Sequence, residues 1–230
     1  MPVPLRVLIL EDSPADAELM LHELRRAGFD PDWRRVDTEA DYRAELETPS
    51  DVVLADYSLP QYDALRALRL LQDRALDIPF IVVTGSIGEE AAVACIKQGA
   101  ADYLLKDRLA RLGPVVAHAL EQRRLRDEKR QMEERLHLQS VALESAPTGV
   151  VITDREGRIS WVNHQFTHIT GYTAEEALGQ TPRLLKSGKH DQSFYQHLWE
   201  TILSGQVWRG EFINRRKDGG LYTEDQSVTP

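Results

Sequence analysis

The sequence contains a single cysteine, Cys95, in 230 residues. One cysteine excludes an internal disulfide framework and any zinc site built from several cysteines. The chain also has no apolar run that approaches the ~20 residues needed to span a bilayer. The first ten residues, MPVPLRVLIL, include no charged segment ahead of the apolar run. We therefore expect no signal peptide, no membrane partner and a cytoplasmic location.

Basic charge is scarce relative to acidic charge, and the net charge is -9. General nucleic-acid binding requires a face rich in Lys and Arg that neutralises phosphates, so we expect none in this chain. The composition, with 42% hydrophobic and 28% charged residues, is that of a globular protein. The length is sufficient for two small domains at roughly 100–200 residues each.

Short apolar runs alternate with segments of helical periodicity over the first ~110 residues. The runs are RVLIL, DVVLAD, PFIVVTG and DYLLK, with a weaker one in DPDWRRVDT. VVLA and FIVV are apolar at every position, which is typical of parallel strands covered by helices on both faces. The pattern predicts an α/β domain with a doubly wound, five-stranded parallel sheet. Ligands of such sheets bind beyond the carboxyl ends of the strands.

The stretch from Pro114 to about Glu144 contains no helix breaker and has dense mixed charge, so it predicts one long helix. Four apolar residues follow one another at spacings of seven, four and seven: Leu125, Met132, Leu136 and Leu143. Polar residues dilute this seam: His118, Gln122, Lys129 and Gln139. Two interpretations stay open, a marginal parallel two-stranded coiled coil and a solvated linker helix.

From Pro147 onward the pattern is that of a small α+β domain with an antiparallel sheet. GVVITDREGRISWVN predicts one hairpin, and WRGEFINRRKDGGLYTEDQSVTP predicts a second that turns at Asp218-Gly219-Gly220. Short helical segments lie between the hairpins. The predicted organisation is a first domain over residues 1–121, a helical or coiled-coil linker over 122–144 and a second domain over 145–230.

Chemically important residues follow four strands of the predicted parallel sheet. They are Glu11 and Asp12 after the first strand, Asp56 at the end of the third, Thr84 at the end of the fourth and Lys106 after the fifth. Three carboxylates at one edge repel one another unless a cation compensates them. Mg²⁺ is a hard cation that binds through carboxylates, waters and phosphate oxygens. A lysine and a hydroxyl nearby would meet phosphoryl oxygens, so the set predicts phosphoryl transfer to a carboxylate.

Each of these residues also has an ordinary structural interpretation. Asp12 and Ser13, directly before Pro14, could cap the first helix. Asp56 could be a turn aspartate, and Lys106 could be a solvated surface lysine. Because all five lie at the correct ends of four different strands, we favour a functional site.

Residues 5–121 resemble the receiver domain of two-component response regulators, a flavodoxin-like fold. The matching pieces are VLILEDSPADAELM, DVVLADYSLPQYDAL, PFIVVTGS and GAADYLLKD. The resemblance implies that Asp56 is the phosphoacceptor and that Asp12 and Asp56 bind Mg²⁺ directly. It adds Glu11 as a ligand through water and Ser58 as a ligand through its carbonyl oxygen.

The same resemblance implies that Thr84 and Lys106 contact the phosphoryl oxygens. It makes Tyr103 an aromatic switch that turns inward with Thr84, and it implies a histidine kinase or histidine phosphotransfer protein as partner. Two positions depart from the family pattern. Asp107 stands where the family usually has Pro after the lysine, and Ala64 stands where a glycine is common.

The region from about residue 140 to 230 resembles a PAS domain of the sensory-box type. The matching pieces are SAPTGVVITDREGRISWVN, ITGYTAEEALGQ and VWRGEFINRRKDGGLY. TPRLLKSGKHD lacks the cysteine of flavin photosensors, and His197 is interpreted as an ordinary helix residue rather than a haem ligand. The sequence therefore leaves two states open for the PAS domain, an empty one and one that binds a small molecule it does not identify. The family's last strand is missing from the predicted sheet, so we expect an incomplete domain that is partly disordered or completed by a neighbouring protomer.

These features favour a phosphorelay module that passes a change at Asp56 through the helix to the PAS domain. The module is expected to be the regulatory part of a larger sensor or output protein, such as a histidine kinase or diguanylate cyclase, and not itself an enzyme. We expect a homodimer through helix 114–144, the PAS domain or both.

The alternatives are an aspartyl-phosphate phosphohydrolase and an interaction module that is never phosphorylated. The first usually has a second acid two residues after the nucleophile, where this chain has Ser58.

Overall fold

The structure is a computed structural model that describes residues 1–57, 59, 63–85 and 89–230, with only the backbone described for residues 89–92. The chain divides into two compact units, residues 1–131 and 132–230. The division falls inside the predicted linker helix, so the predicted boundaries after residues 121 and 144 stay predictions. Ser58 lies outside the described residues, so its role as a ligand through its carbonyl oxygen stays a prediction.

The first unit is built on a five-stranded parallel sheet. Its strands are β1 (Val3–Leu10), β2 (Phe29–Val36), β3 (Val52–Asp56), β4 (Phe80–Thr84) and β5 (Asp102–Leu105). They lie in the order β2-β1-β3-β4-β5, and every neighbouring pair is parallel. All residues of β3 and β4 are buried, as their uninterrupted apolar runs predicted. The predicted doubly wound α/β sheet is confirmed.

Helices cover both faces of this sheet. They are α1 (Pro14–Arg26), α2 (Glu39–Glu45), α3 (Ala64–Asp73), α4 (Glu89–Lys97) and α5 (Leu112–Glu144), with a 3-10 helix at Lys106–Arg111. One buried cluster includes Tyr42 of α2, Leu68 of α3 and Cys95 of α4. The other includes Met20 of α1 and Val116 of α5. The two clusters fix the sheet between helix layers and leave its carboxyl edge open for ligands.

The turn from β1 into α1 is set by three consecutive residues. The Ser13 hydroxyl accepts a hydrogen bond from the Asp16 amide at 3.3 Å, and Pro14 takes the first helical position, where its missing N–H costs nothing. Ser13 is therefore the cap. Asp12, the other candidate cap, stays exposed beside it and is available for another role.

Helix α5 begins at Leu112, two residues before Pro114, and has 33 residues, or about 50 Å. It confirms the predicted long helix. Leu112, Val116 and Ala119 are buried in the first unit. Further along, Arg126 forms an ion pair with Asp77 at 2.8 Å. From residue 128 to 144 all of its side chains are exposed. Within the described part of the chain, no helix combines the length and the apolar character that crossing a membrane requires.

The second unit contains both predicted hairpins. The first pairs β6 (Val151–Thr153) with β7 (Ile159–Val162), and the second pairs β8 (Trp208–Arg215) with β9 (Leu221–Val228). Between them lie α6 (His164–Thr170), α7 (Ala174–Ala177), a 3-10 helix (Pro182–Leu185) and α8 (Gln192–Leu203). Among the described residues the hairpins form two separate two-stranded sheets. That this domain lacks the last strand of its family stays a prediction.

A buried asparagine organises the start of this unit. Asn163 caps α6 by accepting from the Phe166 amide at 3.0 Å, and its Oδ1 also accepts from the Val150 amide. Its Nδ2 donates to the carbonyl oxygen of Leu143, in the last turn of α5, at 3.1 Å and to that of Thr148 at 2.9 Å. One side chain thus satisfies backbone groups from the helix end, the first hairpin and α6.

Candidate functional site

The strand register brings the predicted site residues to one edge of the sheet. Leu10 of β1 lies opposite Ala55 of β3, so the next residues along, Glu11 and Asp56, end up level with each other. Asp56 in turn lies opposite Val83 of β4, one residue before Thr84. Thr84 pairs with Leu105, and Lys106 follows directly. The four strand ends therefore converge, as the sequence predicted.

Glu11, Asp12 and Asp56 form an acidic cluster. Each offers a carboxylate oxygen, and these three oxygens lie within 4.8 Å of one another. Glu11 is fully buried and Asp56 nearly so, whereas Asp12 is exposed. Hard oxygen donors that converge with one open side fit a divalent cation such as Mg²⁺, which keeps some of its waters. The residues therefore fit the cation that the sequence implied.

Lys106 provides positive charge inside this cluster. Its Nζ donates to Glu11 Oε2 at 2.9 Å, to Asp56 Oδ2 at 2.7 Å and to Asp16 Oδ2 at 2.5 Å. These three contacts use all three ammonium hydrogens. The lysine side chain is only 19% exposed. It is therefore not the solvated surface lysine of the ordinary structural interpretation.

The pKa values of Glu11 and Lys106 are both raised, for different reasons. Burial raises the pKa of the Glu11 carboxyl, and hydrogen bonds from Lys106 and from the Ser13 amide offset part of that rise. Burial lowers the pKa of Lys106, but the hydrogen bonds to Asp16, Asp56 and Glu11 outweigh it and hold that pKa above its ordinary value. The lysine therefore stays charged, and its charge is what makes a buried carboxylate tolerable.

The structure adds two residues that sequence reasoning missed. Asp16, in the first turn of α1, contacts Lys106 as just described. Arg35, near the end of β2, donates from Nη1 to the carbonyl oxygen of Glu11 at 2.8 Å. A sequence signal existed for Arg35, which lies near the carboxyl end of a strand beside β1. Asp16 gave none, because an acid in the first turn of a helix is ordinary.

Thr84 and Tyr103, the remaining predicted site residues, differ in how exposed their side chains are. Thr84 ends β4 with its side chain buried, at 2% exposure. Tyr103 on β5 is 40% exposed and lines an open pocket with Arg108 and Arg111. At the position where the family usually has Pro, Asp107 enters the 3-10 helix, and all described peptide bonds are trans.

In the second unit an aromatic cluster forms much of the core between α8 and β8. Phe194, Trp208 and Phe212 contact one another with ring centroids 5.0 to 5.3 Å apart. His190 stacks on Phe194 at 4.0 Å, and its Nε2 accepts from the Ile213 amide. His197, the histidine considered for haem, is exposed on α8.

Comparison with known families gives two matches that together cover most of the chain. The response regulator receiver domain matches residues 7–113, and the PAS fold matches residues 138–230. A nitrogen fixation regulatory protein of Klebsiella oxytoca is 42% identical over 88 residues, which are 38% of this chain and 18% of that protein. The bacterioopsin transcriptional activator of Halobacterium salinarum is 26% identical over 203 residues, which are 82% of this chain and 30% of that protein.

Solved structures of receiver domains are also similar to the first unit. A response regulator receiver domain protein from Clostridium thermocellum is 21% identical, with a TM-score of 0.47, and covers 53% of this chain and 98% of that one. This chain spans only 18% to 30% of the length of the curated relatives named above. The similarity to those relatives therefore describes domains and not whole proteins.

Proposed function

Because residues 7–113 are a response regulator receiver domain and residues 138–230 are a PAS domain of a two-component signalling protein, we propose that Asp56 accepts a phosphoryl group and that the PAS domain receives the resulting change. One observation carries the proposal. The Asp56 carboxylate meets the Lys106 ammonium at 2.7 Å, inside a cluster whose carboxylate oxygens lie within 4.8 Å of one another. The Asp56 nucleophile and the Lys106 ammonium, which can neutralise charge on a phosphoryl group, are thus in contact at the carboxyl edge of the sheet.

In the proposed reaction, an Asp56 carboxylate oxygen attacks the phosphorus of a phosphohistidine on a histidine kinase or phosphotransfer protein. The P–O bond to Asp56 forms, the P–N bond breaks, and the imidazole nitrogen keeps the electron pair and takes a proton. Lys106 donates to the phosphoryl oxygens as their charge develops. Glu11, Asp12 and Asp56 would hold Mg²⁺, which supplies positive charge to the same oxygens. Ser58 remains a proposed further ligand.

Thr84 and Tyr103 are proposed to report the phosphorylation. Thr84 lies buried at the end of β4, one strand from Asp56, where its hydroxyl can bind a phosphoryl oxygen. A movement of Thr84 toward Asp56 would free space beside β5. Tyr103, 40% exposed on that strand, is proposed to turn inward and fill it.

The experiment that tests the proposal is phosphorylation of the full chain by acetyl phosphate. With Mg²⁺ we expect one acid-labile phosphoryl group per chain, located on Asp56 by mass spectrometry of borohydride-reduced peptides. Without Mg²⁺ the labelling rate should fall at least about tenfold, since the transferred charge is then left to Lys106 alone. An absence of label under both conditions would refute the proposal. Continuous release of phosphate from generic phosphate esters would favour the phosphohydrolase alternative.

We also propose that α5 mediates dimerisation. Its seam residues Met132, Leu136 and Leu143 are 42% to 58% exposed, and apolar residues at these spacings pair helices side by side. The signal would then pass along paired helices to the PAS domains. An output domain elsewhere in the full-length protein, a histidine kinase or diguanylate cyclase, and a cytoplasmic location belong to the same proposal.

Sedimentation measurements test the helix dimer with two matched variants. Leu136→Glu places a charge in the seam and is expected to weaken dimerisation at least about tenfold, since charge in a coiled-coil seam is unfavourable. Leu138 is also exposed, at 68%, but lies off the seam. Leu138→Glu should therefore leave the dimer intact. Equal dissociation by both variants, or a monomeric wild type, would contradict this part of the proposal.

A further inference from the structure

Asp16 differs from the other carboxylates that contact Lys106. Glu11 and Asp56 belong to the acidic cluster suited to a divalent cation, whereas Asp16 is not among the three residues of that cluster. Its oxygen nevertheless lies 2.5 Å from Lys106 Nζ, and its side chain is 32% exposed. Asp16 is therefore a partner of the lysine and not of the cation.

This difference becomes important once a cation is bound and Asp56 is phosphorylated. A bound cation would compete with Lys106 for the oxygens of Glu11 and Asp56, and phosphorylation would convert Asp56 into an acyl phosphate. Lys106 would then keep neither of these two contacts in its present form. Asp16 lies outside the cation cluster and is not the phosphoacceptor, so it can still anchor one ammonium hydrogen while the other two point toward the phosphoryl oxygens.

We propose that Asp16 is a positioning residue that holds Lys106 over Asp56 throughout phosphorylation. The proposal rests on the function proposed above and extends it to a residue on a different element, the first turn of α1. A charge-assisted hydrogen bond of this kind fixes a long, flexible side chain that would otherwise sample many rotamers.

Asp16 also has a structural role in α1, and the experiment must separate the effect of that role from its effect on Lys106. It lies in the first turn of α1, where a negative charge interacts favourably with the helix dipole. Glu18 lies half a turn further along α1, is exposed and has no ion pair or hydrogen bond in the described structure. Glu18→Gln is thus a matched control that removes one negative charge from the same helix without touching the lysine.

The test uses the full chain and compares Mg²⁺ alone with beryllofluoride in saturating Mg²⁺. The fluorines of beryllofluoride stand in for phosphoryl oxygens, and fluorine NMR reports its binding directly. Asp16→Asn is expected to weaken beryllofluoride binding about tenfold, as the loss of one charged hydrogen-bond partner predicts. Its affinity for Mg²⁺ should change less than about twofold. Glu18→Gln should match wild type in both measurements.

A double-mutant cycle locates the effect at the lysine. If Asp16 acts through Lys106, adding Asp16→Asn to Lys106→Met causes no further loss of beryllofluoride binding. Equal weakening of Mg²⁺ and beryllofluoride binding, additive losses in the double variant, or an unchanged Asp16→Asn would each overturn the inference. If instead the wild type binds no beryllofluoride, the proposed function itself fails.

Discussion

Replacement of Asp56 by Asn is expected to abolish phosphorylation of the chain. The substitution preserves the size of the side chain and an oxygen that can accept the hydrogen bond from Lys106, now 2.7 Å away. An amide oxygen, however, is not a useful nucleophile toward phosphorus. Loss of a nucleophile typically costs several orders of magnitude, so we expect a fall of at least about a thousandfold in the labelling rate. Labelling with acetyl phosphate and Mg²⁺, quantified by intact-mass spectrometry, measures it.

A charge-matched control is available beside the site. Asp107 follows Lys106 directly, is exposed and has no ion pair or hydrogen bond in the described structure. Asp107→Asn therefore changes the net charge as Asp56→Asn does, and its labelling should stay within about twofold of wild type. If Asp56→Asn were labelled as fast as this control, the acceptor would be a different residue.

The sheet could be predicted because its signal is local. Every residue of β3 and β4 is buried, so each strand is a continuous apolar run that stops where a polar side chain is needed. That stop identifies Asp56 and Thr84 from the sequence alone. β2 gave a weaker signal because it is an edge strand with most side chains exposed or half-buried, and the sequence therefore carries charge along it.

The missed features depend on long-range geometry. Asp16 and Lys106 are 90 residues apart, and no local pattern reports that the first turn of α1 faces the end of β5. The helix dipole already accounts for an acid in the first turn of a helix, so the sequence gives no reason to expect a second contact with Lys106. Likewise, the stacking of His190 on Phe194 depends on how the loop before α8 packs. In both cases a residue has an ordinary local explanation and a tertiary role.

Lys106→Met is expected to destabilise the first unit in the absence of Mg²⁺. The substitution keeps most of the side-chain volume but leaves Glu11, Asp16 and Asp56 facing one another without their shared cation. Breaking a buried pair costs about 3–5 kcal/mol, and because this lysine is partly exposed we expect about 2–3 kcal/mol. Urea unfolding followed by circular dichroism measures the loss. Lys97→Met, an exposed lysine on α4, is the control and should lose less than about 0.5 kcal/mol.

The loss of stability in Lys106→Met should depend on pH and on Mg²⁺, and the charges predict the direction of each dependence. Burial already raises the pKa of the Glu11 carboxyl, and without the lysine it loses the hydrogen bond and the charge that offset part of that rise, so its pKa in the folded state should lie still further above that in the unfolded chain. An acid whose pKa is raised on folding loses stability as pH rises through that pKa, so the deficit should be larger at about pH 8 than at about pH 5. Mg²⁺ at 100 times its Kd adds about 2.7 kcal/mol to a folded state that binds it, so saturating Mg²⁺ should return the variant to about the stability of the metal-free wild type. If the variant instead matched Lys97→Met at both pH values, Lys106 would not be the charge that holds the carboxylates together, and its proposed part in phosphoryl transfer would lose its electrostatic basis.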